Sequence, residues 1–226
     1  MTAYASSSKG NMYHLSDGES SLLLECGLPI KEIKEALNHR LHDIDAVLAT
    51  HEHQDHAKAA KDITQAGIDL YCSSGTAEAL SLTGHRLHLV KALEQFKIGP
   101  WVILPFDTEH DAQEPLGYLI QNGSDKLLFA TDTYFVRYRF KGLTVIFIEC
   151  NYSKETLSPD LHPAQRRRLL RSHMSLETLL KFLAENDLTL VREIHLIHLS
   201  DGNSNAQMFK DVVQGATGIP TYIEEA

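Results

Sequence analysis

The chain has 226 residues, 43% of them apolar, with 21 Lys and Arg against 30 Asp and Glu, a net charge of −9. That length and apolar content are expected to give one globular domain spanning residues 1–226 and exclude disordered and fibrous classes. The deficit of positive charge excludes a protein that holds nucleic acid through a broad basic surface, but not an enzyme with a small footprint.

The N-terminal stretch MTAYASSSKGNMYH lacks the charged-then-apolar layout of a signal peptide, and no run reaches the roughly 18 apolar residues that a membrane span needs. A cytoplasmic protein with no membrane contact is expected. NMYHL and SLLLECG, parted by SDGES, read as a β-hairpin. PIKEIKEALNHRL follows, with Ile30, Ile33, Leu37 and Leu41 at helical spacing, so a helix over this segment is predicted. DIDAVLAT reads as a strand that stops abruptly at HEHQDH, and AKAAKDITQAG as a helical stretch. DLYC is a predicted strand, GTAEALSL a short helix, and residues 85–106 hold several strand-like alternations. GYLIQNGSDKLLFATD places two apolar runs around Asn-Gly, a hairpin signal. TVIFIEC fits a strand buried on both faces, and SLETLLKFLAEN a helix capped by Ser175 with Leu176, Leu179, Leu180 and Leu183 on one face. REIHLIHLS is the last long strand, with a helix near 204–213 and a terminal strand IPTYIE behind it. Strands clustered in each half, with helices between and after them, predict an α/β (α+β) fold of two packed sheets covered by helices. Cys26, Cys72 and Cys150 are odd in number, without paired spacing, and are expected to be buried reduced thiols.

The chemistry concentrates in THEHQDH, where His51, His53, Asp55 and His56 directly follow a strand. Four potential ligands within six residues cannot face one way on a regular element, so a loop folded around a centre is the economical explanation. Such a loop can serve two neighbouring metal ions. His110 in FDTEHDA, Asp132 in ATDT and His198 in HLIHLS each follow a strand-like run and extend the set. Imidazole and carboxylate donors without thiolate suit Zn²⁺ first, with Mn²⁺ and Fe²⁺ as alternatives.

This pattern resembles the metallo-β-lactamase-fold hydrolases, marked by H-x-H-x-D-H after a strand and then a later His, an Asp and a last His. The resemblance covers nearly the whole chain and implies a four-layer αββα sandwich. It further implies that His51, His53 and His110 bind one ion, Asp55, His56 and His198 the other, and that Asp132 bridges them. SSSKGNMYHL, LLLECGLPIKEI, THEHQDHAKA, FDTEHDAQEPLGYLI, ATDT, IECNYS, SHMSLE and IHLSDGNSN are similar to the small YycJ/WalJ-type exonucleases of this fold and, more distantly, to ribonuclease Z. The chain departs from that family at Glu25, where Asp is usual; the longer side chain is expected to alter support of the metal loop.

Two divalent ions lower the pKa of a shared water and stabilise charge on a phosphoryl or carbonyl oxygen. Phosphodiester hydrolysis also needs a proton for the departing alkoxide. His173, at the mouth of a predicted helix, is the candidate donor, and Glu149 matches the supporting carboxylate implied by the ribonuclease Z resemblance; with Asp55 they form the expected catalytic set. Arg166, Arg167, Arg168 and Arg171 make the single concentrated basic cluster, suited either to gripping a substrate phosphate or to a solvated helix face. Binding of two divalent ions reduces the net charge to about −5. The expected activity is a metal-dependent phosphodiesterase or exonuclease on nucleic acid or nucleotide. The alternatives are an acyl hydrolase of a lactone or thioester and a non-catalytic metal-stabilised partner domain. No long insertion provides a separate clamp, so a long substrate is left to the fold's own loops or to a second subunit of an oligomer. His14, His39, His42, His85, His88, His162 and His195 are read as surface or packing residues.

Overall fold

The computed structural model describes residues 1–224, which fall into two compact units, one of Met1–Asp107 with Ala112–Leu116, the other of Thr108–Asp111 with the chain from Gly117 onward. The first unit carries a six-stranded sheet in the order β1 (Thr2–Ser7), β2 (Gly10–Ser16), β3 (Ser21–Leu24), β4 (Ala46–Leu48), β5 (Asp69–Cys72) and β6 (Leu87–Leu89). The predicted hairpin is β2/β3, with Tyr13 opposite Leu24 and His14 opposite Leu23. From β3 onward the strands run parallel, and β4 is buried throughout, as parallel strands covered on both faces are. Strand β1 was not expected from TAYASS: its pattern is too weakly apolar, and it forms by antiparallel pairing with β2.

Helix α1 (Ile30–Ala36) is shorter than its periodicity predicts. Asn38 and His39 take left-handed φ of 50° and 60°, and the His39 amide turns back to Lys34 O at 2.7 Å, closing the helix. Leu41 still reaches the core, through a 3₁₀ turn over Leu41–Asp43. HEHQDH itself carries a short helix α2 (Gln54–Ala57), and the Ala/Lys-rich segment forms α3 (Ala60–Gln65). The break between them arises because the Ala59 amide is diverted to Cys26 O at 2.9 Å. Buried Met12, Leu23, Ile33, Val47, Ile63 and Leu70 fill the core of this unit. Helix α4 (Ser74–Ala79) and the antiparallel pair β7 (Phe96–Ile98) and β8 (Trp101–Asp107) complete it.

The second unit carries strands in the order β13 (Thr221–Ile223), β12 (Glu193–Ile197), β11 (Val145–Glu149), β10 (Asp125–Ala130) and β9 (Leu116–Asn122). β9 and β10 form the predicted hairpin, with Gly123 at φ 56°, while β10 to β13 are mutually parallel. All five residues of β11 are buried. The arginine cluster lies on helix α5 (Pro163–Ser172), opened by Pro163 and exposed along nearly its whole length. In α6 (Leu176–Ala184) the Ser175 hydroxyl accepts from Thr178 N, and Leu176, Leu179, Phe182 and Leu183 are buried while Leu180 is partly covered. Helix α7 (Ala206–Thr217) ends at Gly218, left-handed at φ 70°. Among the described residues no helix is long and apolar enough to cross a membrane.

Candidate metal centre

In the first unit the loop after β4 is braced from several sides. Leu116 N donates to Thr50 O at 3.0 Å, and Gln113 N to the Glu52 carboxylate at 2.8 Å. Gly27, past the end of β3, lies so close that a β-carbon there would stand 1.7 Å from Asp55 O. Glu25, fully buried and left-handed at φ 68°, aims its carboxylate at the same loop. Its Oε1 accepts the Thr50 hydroxyl at 2.6 Å and faces His56 Nδ1 at 3.4 Å, while Oε2 accepts Thr50 N at 3.2 Å. Because the Thr50 hydrogen is committed to a carboxylate, which only accepts, Thr50 Oγ1 must accept from His51 Nδ1 at 2.9 Å. That tautomer leaves the lone pair of His51 on Nε2.

His51 Nε2 lies 3.0 Å from His53 Nδ1, and His56 Nε2 lies 3.4 Å from Asp55 Oδ2. Two ligands about 2.05 Å from one tetrahedral zinc stand about 3.3 Å apart, so each pair has the spacing of one edge of a metal shell. Asn11 holds the loop too, its amide nitrogen donating to Ser7 O at 3.0 Å and Asp55 O at 3.1 Å.

In the second unit Asp132 and His198 follow β10 and β12 and are left-handed at φ 39° and 52°. Strained non-glycine residues of this kind cost of order 1–3 kcal/mol each and persist where function demands them. Thr131 Oγ1 donates to Asp132 Oδ1 at 2.9 Å, and Asp132 Oδ2 stands 3.5 Å from His110 Nε2. His110 Nδ1 donates to Ser172 O at 2.8 Å, which keeps the Nε2 lone pair for a ligand role. His198 Nδ1 sits 3.1 Å from Asp132 Oδ1 and 3.2 Å from Glu149 Oε1.

Asp132, Glu149, His173 and His198 bring donor atoms within 4.8 Å of one another. Glu149 is nevertheless spent on hydrogen bonds. Its Oε1 takes His173 Nδ1 at 2.6 Å besides His198, and its Oε2 accepts Thr133 N at 2.9 Å and Met174 N at 3.0 Å. It therefore orients two imidazoles rather than offering a free ligand oxygen.

Burial opposes charge on both Glu149 and His173, yet their mutual attraction and hydrogen bond win: the carboxyl is held below its ordinary value and the imidazole above its own. Burial pushes His110 the other way, against the pull of Asp132, and favours the neutral ring that binds metal. Cys26, buried behind the first loop, has its thiol pushed up by burial and then by Glu25, so it offers no thiolate. The donors in both units are imidazoles and carboxylates, a set that fits divalent ions such as Zn²⁺.

The predicted residues thus gather within each unit: His51, His53, Asp55 and His56 in one, His110, Asp132, Glu149, His173 and His198 in the other. Of the four arginines, Arg168 is engaged, its Nε donating to Asp111 Oδ2 at 2.7 Å. Sequence reasoning missed Asn11, Thr50, Gly27, Asp111 and Ser172. Thr50 adjoins the first histidine and was open to suspicion; Asn11 and Ser172 act from distant segments, the latter through a carbonyl, and carry no local signal. His195 is a packing residue as expected, stacked on Phe147 at 4.0 Å and bonded to Glu224 at 2.6 Å.

Comparison with known proteins matches residues 22–199, drawn from both units, to the family described as Beta-lactamase superfamily domain. Exodeoxyribonuclease YycJ of Bacillus anthracis is 27% identical over 223 residues, covering 90% of this chain and 83% of that protein. Exodeoxyribonuclease WalJ of Streptococcus pneumoniae serotype 2 is 28% identical over 218 residues, covering 88% and 81%. The solved metallo-beta-lactamase fold protein YhfI of Bacillus subtilis superposes with a TM-score of 0.77 at 16% identity, covering 99% of this chain and 95% of that one. The chain therefore belongs to the beta-lactamase superfamily, with the metallo-β-lactamase fold and the donor set of a metal-binding hydrolase.

Proposed function

We propose that this hydrolase is a metal-dependent phosphodiesterase that removes nucleotides from the end of a nucleic acid, working in the cytoplasm as a single functional domain over residues 1–226. His51, His53 and His110 would hold one divalent ion, and Asp55, His56 and His198 a second, with Asp132 shared between them; Zn²⁺ is the preferred metal. Such ions supply hydroxide at neutral pH and charge to steady the phosphoryl oxygens. Three free buried thiols, Cys26, Cys72 and Cys150, agree with a reducing compartment.

The observation that carries this reading is the His173–Glu149 pair. An alkoxide leaving group needs a proton, and His173, with Nδ1 on the buried carboxylate at 2.6 Å, keeps its other nitrogen as the donor. An acyl hydrolase of a lactone or thioester has less need of such an acid. Arg166, Arg167 and Arg171 on exposed α5 would take substrate phosphates, leaving Arg168 to Asp111.

The test is His173→Ala, with metal content measured by elemental analysis and cleavage followed on end-labelled single- and double-stranded DNA and RNA. Removal of a general acid costs about 10²- to 10⁴-fold in kcat, with metal retained. Unchanged cleavage overturns the assignment of His173. A fully metallated wild type that cuts none of these substrates overturns the phosphodiesterase reading in favour of the acyl hydrolase.

A further inference from the structure

Tyr134 and Phe135 stand beyond the strand that delivers Asp132, each 41% exposed. Large aromatic side chains elsewhere are put to use: Tyr71 stacks on His88 and Phe96, Phe147 on His195, and even the exposed Tyr222 on His195. Among the described residues no ring stacks on Tyr134 or Phe135, so two neighbouring aromatic side chains stand part-exposed without an aromatic partner, at a cost in hydration.

Their backbone is firmly mounted. Tyr134 N donates to Glu109 O at 3.1 Å, and Glu109 N donates back to Thr133 Oγ1 at 2.9 Å. The Thr133 hydroxyl donates to Phe135 O at 2.8 Å, and Thr133 N to the buried Glu149 carboxylate at 2.9 Å. Arg137 also pairs with Glu109. The segment 109–111 thus ties together two features of one unit, the aromatic loop and α5. Glu109 holds the aromatic loop, His110 bonds Ser172 O at the end of α5, and Asp111 holds Arg168 on α5. The segment links the loop that carries the two part-exposed rings to the helix that carries the exposed Arg166, Arg167 and Arg171.

We propose that Tyr134 and Phe135 form a base-stacking platform that seats the unpaired bases of a single-stranded DNA end beside the candidate site. This rests on the nuclease reading above and narrows it to the substrate's bases. Part-exposed rings tied through residues 109–111 to a cationic helix match a ligand whose backbone is anionic and whose side groups are aromatic, and such stacking tolerates every base. A duplex offers one uncovered base face, at its terminal pair, whereas an unpaired end offers the faces of successive bases, so an unpaired end is the form that fills two rings at once.

The test measures binding of the metal-loaded protein to a fluorescein-labelled, phosphorothioate-linked single strand of about ten nucleotides, by fluorescence anisotropy. Tyr134→Ala and Phe135→Ala are each expected to weaken binding about 5- to 150-fold. Phe135→Trp retains affinity, whereas Phe135→Leu, apolar but not flat, behaves like alanine. Replacing the bases by abasic sites brings the wild type down to the level of the double alanine variant and leaves the double variant unchanged. Both side chains are at the surface, so thermal melting confirms that the variants are folded. Equal binding by wild type and the double alanine variant, or full rescue by leucine, overturns the platform. A wild type that degrades the cleavable oligonucleotide while the double variant binds it equally well refutes the platform alone. A wild type that degrades no nucleic acid refutes the nuclease reading beneath it.

Discussion

Gly27→Ala is the sharpest test of how the metal loop is supported. A β-carbon at this position would lie 1.7 Å from Asp55 O, 2.3 Å from Asp55 C and 2.8 Å from Asn11 N, all backbone atoms that no side-chain rotation can remove. An ordinary carbon–oxygen contact is about 3.5 Å, so the β3 end and the loop must part by well over an ångström. The strain is steric alone, since Gly27 is not among the left-handed glycines. The same movement disturbs Cys26 N to His56 O at 2.8 Å, Gly27 N to Asn11 O at 3.0 Å and Ala59 N to Cys26 O at 2.9 Å. Overpacking costs about 1–3 kcal/mol, and backbone against backbone belongs at the upper end. For a chain of this length about 3 kcal/mol lowers Tm by about 6–12 °C. Because Asp55 and His56 ride on the displaced segment, zinc affinity falls about 10- to 100-fold as well. The assays are thermal unfolding and competition with a chelating dye. Gly18→Ala is the control: Gly18 is left-handed at φ 97° with open space around it, so alanine costs stability there without loss of metal. An unchanged Tm and full zinc retention in Gly27→Ala would refute this account of the loop.

Glu25→Gln removes the charge that accepts the Thr50 hydroxyl and faces His56. Zinc affinity is expected to fall about 10-fold or more, whereas Glu25→Asp retains more of it; chelator competition ranks the three proteins. The pH dependence of the His173–Glu149 pair follows from its shifts. The raised imidazole contributes stability that is complete below its usual 6.5 and lost as pH rises through the folded value, and the lowered carboxyl contributes stability that is complete above its usual 4.5 and lost on acidification. The advantage of wild type over Glu149→Gln in urea unfolding is therefore greatest between pH 4.5 and 6.5, and a pH-independent difference contradicts the pairing. Burial pushes the Cys72 thiol up to about 12 and raises Cys26 and Cys150 as well. A thiol reagent at pH 8 should find no reactive group in the folded protein and three after denaturation; rapid labelling of the native chain contradicts their burial.

The local elements that the sequence could announce are those whose signal is carried by neighbouring residues. The β2/β3 and β9/β10 hairpins, the fully buried β11 and the Ser175-capped α6 follow from apolar period and turn chemistry. The sequence reading departs from the structure where a distant partner or an unforeseen left-handed turn overrides the apolar period. The Cys26 carbonyl takes the Ala59 amide and delays the Ala/Lys helix to Ala60, and left-handed Asn38 and His39 stop α1 short of Leu41.

The amino-acid sequence alone determined the inventory of chemistry. His51, His53, Asp55 and His56 crowd one loop, and His110, Asp132 and His198 each end a strand-like run, because ligands need backbone turns to converge and turns follow strands. Tertiary structure decided how those groups are used. Thr50 and Glu25 choose the His51 tautomer, the Ser172 carbonyl chooses that of His110, and the two oxygens of Glu149 are divided among His173, His198 and two amides. Apart from the Thr50–His51 neighbours, hydrogen-bond direction depends on partners 16 to 62 positions apart, and no local pattern encodes a contact made only when the chain closes on itself.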